Sequence, residues 1–283
     1  MRKATIKMAL GIFDSLTKLA NFLIETKELN HLYPNCPSEE NPTLSSNFAG
    51  VKTRDEALKL LQFGDNQQVE TMRMKLANKT YKKVEKVILA PSGFKVNVPA
   101  YNIGLPYCMF KSLEDFQKTK TKILNLYIDQ GVPWFVDKEE MLNAGIEICK
   151  VIKALEMQGY RINLYSGVMS YTRQWDRSTA LVDGLMVKLK SSSNSLVLNK
   201  VTFPICNPAF LRSIFFEWMG KEQGISYLGD GYGSPLALSN VDSKDIESEL
   251  KKITGKDIFY LPLVNFLNKD ALKIKEYIEL KQN

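Results

Sequence analysis

A strand, a helix and a second strand follow one another between Thr121 and Ser170, and no other stretch restricts the fold as much. The first strand is KILNLYI, residues 122–128, and the second is RINLYSGVMS, residues 161–170. Between them DKEEMLNAGIEICKVIKALEMQ, residues 137–158, reads as a helix. Asp137 stands at the N-cap with Glu140 three residues on, the spacing of a capping box. Apolar residues recur at Met141, Ile148, Cys149, Ile152 and Leu155, which is the helical period. Gly159 follows where a left-handed residue closes a helix. Strands rich in Ile, Leu and Tyr joined by one helix predict a right-handed parallel βαβ crossover with the strands buried.

The sequence around this unit extends the pattern. Residues 180–190 (ALVDGLMVKLK) and 197–205 (VLNKVTFPI) read as strands, and 172–180 as a polar, exposed connection. In NPAFLRSIFFEWMG, Asn207 caps a helix, Pro208 takes its first position and Gly220 ends it. Its apolar residues surround the axis, so the helix is predicted to be buried on all sides. GDGYGSP, residues 229–235, matches neither glycine-rich phosphate motif and reads as a surface loop. Asp242, with Asp245 three residues on, starts a further helix. DIFYLPL is a strand, and NKDALKIKEYIEL closes the chain as a helix.

The predicted fold is therefore α/β, a mostly parallel central sheet with helices on both faces, over residues 121–283. Residues 1–120 read as a mostly helical, basic N-terminal region. Its helices fall at 11–29, at TRDEALKLLQFG with a Thr53–Glu56 capping box and Gly64 at the end, and at 66–78. The opening residues mimic a signal peptide, but Asp14, Lys18 and Asn21 interrupt the apolar run, and an amphipathic helix is the better reading. Residues 30–50 form a loop with Pro34, Pro37 and Pro42, and 87–90 a short strand. Residues 96–110 (VNVPAYNIGLPYCMF) carry prolines that break regular structure, and read as an ordered, buried loop leading to the sheet.

Composition excludes several chemistries. No run approaches the roughly 20 apolar residues of a membrane helix, and no membrane is expected as a partner. Cys36, Cys108, Cys149 and Cys206 lie far apart and form no C-x-x-C pair. With His31 the sole histidine, a zinc site lacks its ligands. Ser-His-Asp and Cys-His catalysis would depend on that one residue, which sits beside a proline-rich loop. Free thiols in a reducing compartment are expected, with no metal and no cofactor.

The net charge of +7 is uneven: residues 1–120 hold 18 Lys and Arg against 12 Asp and Glu, and residues 121–283 hold 20 against 19. A basic excess favours polyanions. The densest basic stretch carries Arg73, Lys75, Lys79, Lys82, Lys83 and Lys86 with Tyr81 interleaved, and these seven residues are the predicted nucleic-acid-binding set. A solvated lysine-rich surface is the competing interpretation.

Several stretches together resemble a family of uncharacterised phage and mobile-element proteins: FAGVKTRDEALKLLQFGD, VPAYNIGLPYCM, EEMLNAGIEICKVIKALEMQGYRINLY, NPAFLRSIFFEWM and the GYG at 231–233. They span most of the chain between Phe48 and Gly233. That family is a domain of unknown function, so the resemblance transfers no catalytic residue. It implies a bacteriophage or prophage source, and thus the host cytoplasm or the virion. The α/β half also resembles a von Willebrand factor A-type, Rossmann-like fold. Those domains hold a divalent metal with D-x-S-x-S after the first strand. Here Asp129 ends the strand, but Gly131 and Pro133 stand in the serine positions, so no metal is expected there.

Three functions remain open at this level. The first is a non-catalytic interaction module, a phage-type accessory protein contacting nucleic acid or a phage or host protein. The second is a metal-dependent nuclease or other phosphoryl-transfer enzyme whose acids gather at strand ends, from Asp129, Asp183, Glu217 and Asp230. The third is a virion structural component.

Overall fold

The computed structural model describes residues 5–25, 49–77, 87–112, 122–173, 179–223, 235–236, 241–267, 269, 274 and 276–278. In chain order the elements are β1 (Thr5–Phe13), α1 (Leu16–Glu25), α2 (Arg54–Phe63), α3 (Asn66–Ala77), β2 (Val87–Ala90), β3 (Lys95–Val96), α4 (Val98–Asn102) and β4 (Met109–Ser112). There follow β5 (Ile123–Asp129), α5 (Lys138–Met157), β6 (Arg161–Arg173), β7 (Thr179–Lys190) and α6 (Leu198–Cys206). A π-helical stretch (Phe210–Phe215) runs into α7 (Phe216–Gln223), and α8 (Ser243–Thr254), β8 (Phe259–Pro262) and a 3-10 turn (Leu263–Phe266) complete the order. The chain forms two compact units, Met1–Asn78 with Ile123–Asn283, and Lys79–Lys122.

The larger unit is α/β. Its five-stranded sheet has the order β1-β7-β6-β5-β8. β5 pairs in parallel with both β6 and β8, and β1 pairs in parallel with β7. Only the β6–β7 pair is antiparallel. The predicted βαβ unit is β5-α5-β6, and its cap is as read: Asp137 accepts from the Glu140 amide at 2.8 Å, while the Glu140 carboxylate takes the Asp137 amide. Gly159 has φ +92°, the left-handed region that glycine enters without steric cost.

Side-chain alternation sends two apolar sets to opposite faces. Leu124, Leu126 and Ile128 of β5, with Leu164 and Val168 of β6 and Leu185 and Val187 of β7, join the main core with α1, α2, α5, α6 and α7. Tyr127, Tyr165, Met169, Val182, Met186 and Tyr260 meet Ile246 and Leu250 of α8 on the other face. Helices therefore cover both faces.

Three local readings are corrected. Residues 11–13 belong to β1 rather than to a helix beginning at 11, and α1 starts at Leu16. Ile6, Met8 and Leu10 alternate onto the second core face, and Gly11 lies so close to Trp218 that a Cβ there would sit 2.3 Å from its ring. Residues 198–206 are a helix, not a strand. Every residue from Val201 to Cys206 is buried, so no polar face marks the helical period. Residues 96–110 are ordered but not buried: Val98, Tyr101, Ile103, Leu105 and Tyr107 are all exposed.

The helix caps hold with changes of detail. Thr53 accepts from the Glu56 amide, but the Glu56 carboxylate bonds the Lys52 amide, one residue before the cap. Asp242 caps α8 through the Lys244 amide. The helix after Asn207 runs on past Gly220 to Gln223. Of the closing helix, residues 274 and 276–278 are described and helical. The loop at 229–234, and residues 174–178 of the polar connection, lie outside the described residues. Cys108, Cys149 and Cys206 are free thiols. Among the described residues no helix is long and apolar enough to cross a membrane.

Candidate nucleic-acid interface

Of the predicted basic set, Arg73 is exposed on α3, where its guanidinium meets Glu70 at 2.7 Å. An exposed pair three residues apart on a helix contributes a few tenths of a kcal/mol, and it offsets part of the Arg73 charge. Lys75 lies on the same helix. Lys79, Tyr81, Lys82, Lys83 and Lys86 lie outside the described residues.

The division into units sharpens the charge asymmetry. The span Lys79–Lys122 contains nine Lys and three acids (Glu85, Glu114 and Asp115), so 44 residues carry six of the chain's seven net positive charges. The remaining 239 residues are near balance, with 29 basic side chains against 28 acidic.

Within that unit β2, β4 and β3 form a small antiparallel sheet. The loop between β3 and β4 is tied at its base, where the Asn97 amide donates to the Cys108 carbonyl at 2.7 Å. Asn97 caps α4 through the Ala100 amide. The Tyr101 amide bonds Asn97, the Ile103 amide bonds Pro99, and the Leu105 amide bonds Ala100. Gly104, at φ +74°, makes the reversal, a conformation costly for a residue with a Cβ. Backbone hydrogen bonds thus fix the loop, and only Ala100 of α4 turns inward. Phe94 and Tyr101 are each 65% exposed and Ile103 is 74% exposed. Burying a large apolar side chain is worth about 1.5–3 kcal/mol, which the isolated chain forgoes here several times over.

The four acids considered for metal chemistry are placed separately. Glu217 is buried and takes both Nε and Nη2 of Arg54, at 2.9 and 2.7 Å. Arg54 also donates to the Leu23 carbonyl, joining α1, α2 and α7. Asp183 shares its strand face with Leu185 and Val187, opposite the face of Tyr127 and Asp129. Asp230 lies outside the described residues. Among the described residues no three His, Cys, Asp or Glu side chains are grouped to hold a metal.

Asp129 ends β5 fully buried. Oδ1 accepts from the amides of Gly131 and Met169 at 2.9 and 3.1 Å, and Oδ2 from the Tyr260 phenol. Burial pushes its carboxyl up to about 6 against the pull of those three donors. The same burial raises the Tyr127 and Tyr260 phenols. The next residue, Gln130, is also fully buried, and its amide group has no hydrogen-bond partner among the described residues. The loop that follows is held by Arg212, whose Nη2 reaches the carbonyls of Trp134 and Val136 at 3.3 and 2.7 Å. Sequence reasoning missed Tyr260 and Arg212 because their partners are remote in the chain.

An open groove of about 340 Å³ lies at the carboxyl ends of β1 and β7, lined in part by Asp14, Ser15, Lys188, Lys190 and Lys200. Two of its charged side chains have partners outside the groove lining. Lys190 meets Glu156 at 2.6 Å and the Ile162 carbonyl at 3.0 Å, and Asp14 meets Lys18 at 2.6 Å.

No curated protein and no solved structure matches this chain. A family model does match, over residues 2–282. The chain belongs to the family described as Domain of unknown function (DUF7192).

Proposed function

We propose that this protein is a non-catalytic, phage-type accessory module that binds nucleic acid through the phosphate backbone. The interface is the span 79–122, and it works in the host cytoplasm or the virion. One observation carries the proposal: six of seven net charges fall in 44 residues. Such a concentration attracts polyanions and releases their counterions on binding. The phage context is supported by the stretches between Phe48 and Gly233 quoted above. A von Willebrand A-type relationship is supported by the βαβ unit whose first strand ends at Asp129, though both oxygens of that carboxylate already have protein donors.

The test is a salt titration of binding to mixed-sequence DNA and RNA. Affinity is expected to be insensitive to sequence, because phosphate contacts carry no base information. It falls with salt on a log–log slope of about −0.9 for each phosphate neutralised on a duplex. No binding at low salt removes the proposal. Magnesium-dependent cleavage of the DNA would replace it with the nuclease reading.

A further inference from the structure

We infer that the loop between β3 and β4 is a stacking platform for unpaired bases, so that the preferred ligand of this protein is single-stranded nucleic acid. The inference rests on the nucleic-acid reading and adds a second, independent feature to it. Phe94, Tyr101 and Tyr107 are exposed within 14 residues of one ordered segment, inside the unit that holds nearly all of the net positive charge. Charge alone does not distinguish one strand from two. Exposed rings do, because only an unpaired base offers a free face to stack on.

The geometry suits that role. A stacking ring must be presented in water before its ligand arrives, without collapsing into the core. Here the backbone supplies the rigidity that side-chain burial would otherwise give: the Asn97–Cys108 closure, the Asn97 cap and the bonds from Tyr101, Ile103 and Leu105. Lys95 lies exposed beside Phe94. Aromatic faces set among lysines are the usual means of binding single strands without regard to sequence, rings meeting bases and ammonium groups meeting phosphates. Duplex DNA keeps its bases stacked and would use the charge alone.

The experiment compares the full chain with two variants, Phe94→Ala/Tyr101→Ala/Tyr107→Ala and Lys79→Ala/Lys82→Ala/Lys83→Ala, on an oligothymidylate, an oligouridylate and a mixed-sequence duplex of equal length. The native chain is expected to favour both single strands over the duplex. Removing the rings should weaken single-strand binding by about tenfold or more per stacked base, with the salt slope and duplex affinity unchanged. Removing the lysines should flatten the slope for all three probes. Phe94, Tyr101 and Tyr107 are exposed, and an unchanged melting temperature verifies folding of both variants. A Tyr101→Trp variant gives a direct signal, since stacking on a base quenches indole fluorescence.

Equal affinity for strand and duplex, with the ring variant indistinguishable from native, overturns the single-strand inference and leaves the nucleic-acid reading standing. No binding to any probe at low salt overturns both. A ring variant that changes only the oligomeric state also overturns the inference, and assigns the loop to protein contact. If oligothymidylate binds and oligouridylate does not, the ligand is DNA; the reverse makes it RNA.

Discussion

The phenol of Tyr260, the second residue of β8, donates to Oδ2 of Asp129, the last residue of β5, across 131 positions of sequence. The two strands are parallel neighbours with Asp129 opposite Pro262, so the bond locks the carboxyl end of the sheet. It also sets the response of the fold to acid. Burial raises the Asp129 carboxyl from 3.8 to about 6, with Tyr260 the largest opposing influence. An acid that binds its proton more tightly when folded makes the folded state hold more protons between those values. Stability should therefore fall as pH rises from about 4 to about 6 and level off above, a change on the order of 3 kcal/mol. Asp129→Asn keeps an acceptor for the two amides and should abolish that component. The readout is the difference in denaturation midpoint between native and variant across this range, and a flat difference contradicts the assignment.

Tyr260→Phe separates the phenol from the burial. Its donor favours the charged carboxylate, so removing it should raise the Asp129 value further and extend the pH-sensitive window above 6. A window that moves down, or does not move, means that the phenol does not govern this carboxyl.

Glu217 gives a prediction that distinguishes a structural acid from a catalytic one. Its carboxylate is 8% exposed and lies in a two-point contact with Arg54. Glu217→Ala takes the two-point carboxylate away from a partly buried guanidinium, and should cost about 3 kcal/mol in urea denaturation. Arg54→Met combined with Glu217→Leu should restore much of that loss, because an apolar pair avoids the desolvation of two charges. An unchanged midpoint in Glu217→Ala would show that the contact contributes nothing.

The central helix offers a simpler check. Ile152 on α5 is 1% exposed within the main core, and Ile152→Ala should cost about 2–5 kcal/mol through lost contacts and a cavity. Gly167→Ala should do more damage than its size suggests. A Cβ there would stand 1.7 Å from the Leu185 carbonyl oxygen and 2.8 Å from the Tyr127 hydroxyl, forcing β6 and β7 apart. Soluble, native-like Gly167→Ala protein would refute that close approach.

What the sequence revealed follows from how local each signal is. The β5-α5-β6 unit was legible because its cap, its period and its terminating glycine are each signals carried by residues a few positions apart. β1 was hidden because Ile12 fits two patterns in the sequence, the alternation of Ile6, Met8 and Leu10 and the helical stripe of Leu16, Leu19 and Leu23. α6 was misread because burial on every side erases the period that separates a helix from a buried strand. The exposed loop at 96–110 reads as buried from its apolar content; nothing local shows that its backbone, rather than a core, keeps it ordered. The Asp129–Tyr260 bond and the Arg54–Glu217 pair join residues 131 and 163 apart, distances at which sequence pattern carries no information. The basic excess was visible as composition, but its confinement to 79–122 depends on where tertiary contacts divide the chain.

The lysines of that span yield the last prediction, because they need not contribute alike. Arg73 already has Glu70 at 2.7 Å, so nucleic acid must compete with an existing partner. Lys79, Lys82 and Lys83 have one acid, Glu85, in the surrounding eight residues 79–86. If phosphates are bound there, replacing the three lysines by alanine should flatten the salt slope by up to about three units. Arg73→Ala should flatten it by less than one, since removing the arginine also frees a carboxylate that repels the ligand. Glu70→Gln should act in the opposite direction and strengthen binding at low salt, as it releases Arg73 and removes a negative charge. Binding isotherms over a fourfold range of salt measure all three. A triple-lysine variant with the native slope would place the phosphate contacts elsewhere in the chain, and a Glu70→Gln variant of unchanged affinity would show that the end of α3 takes no part.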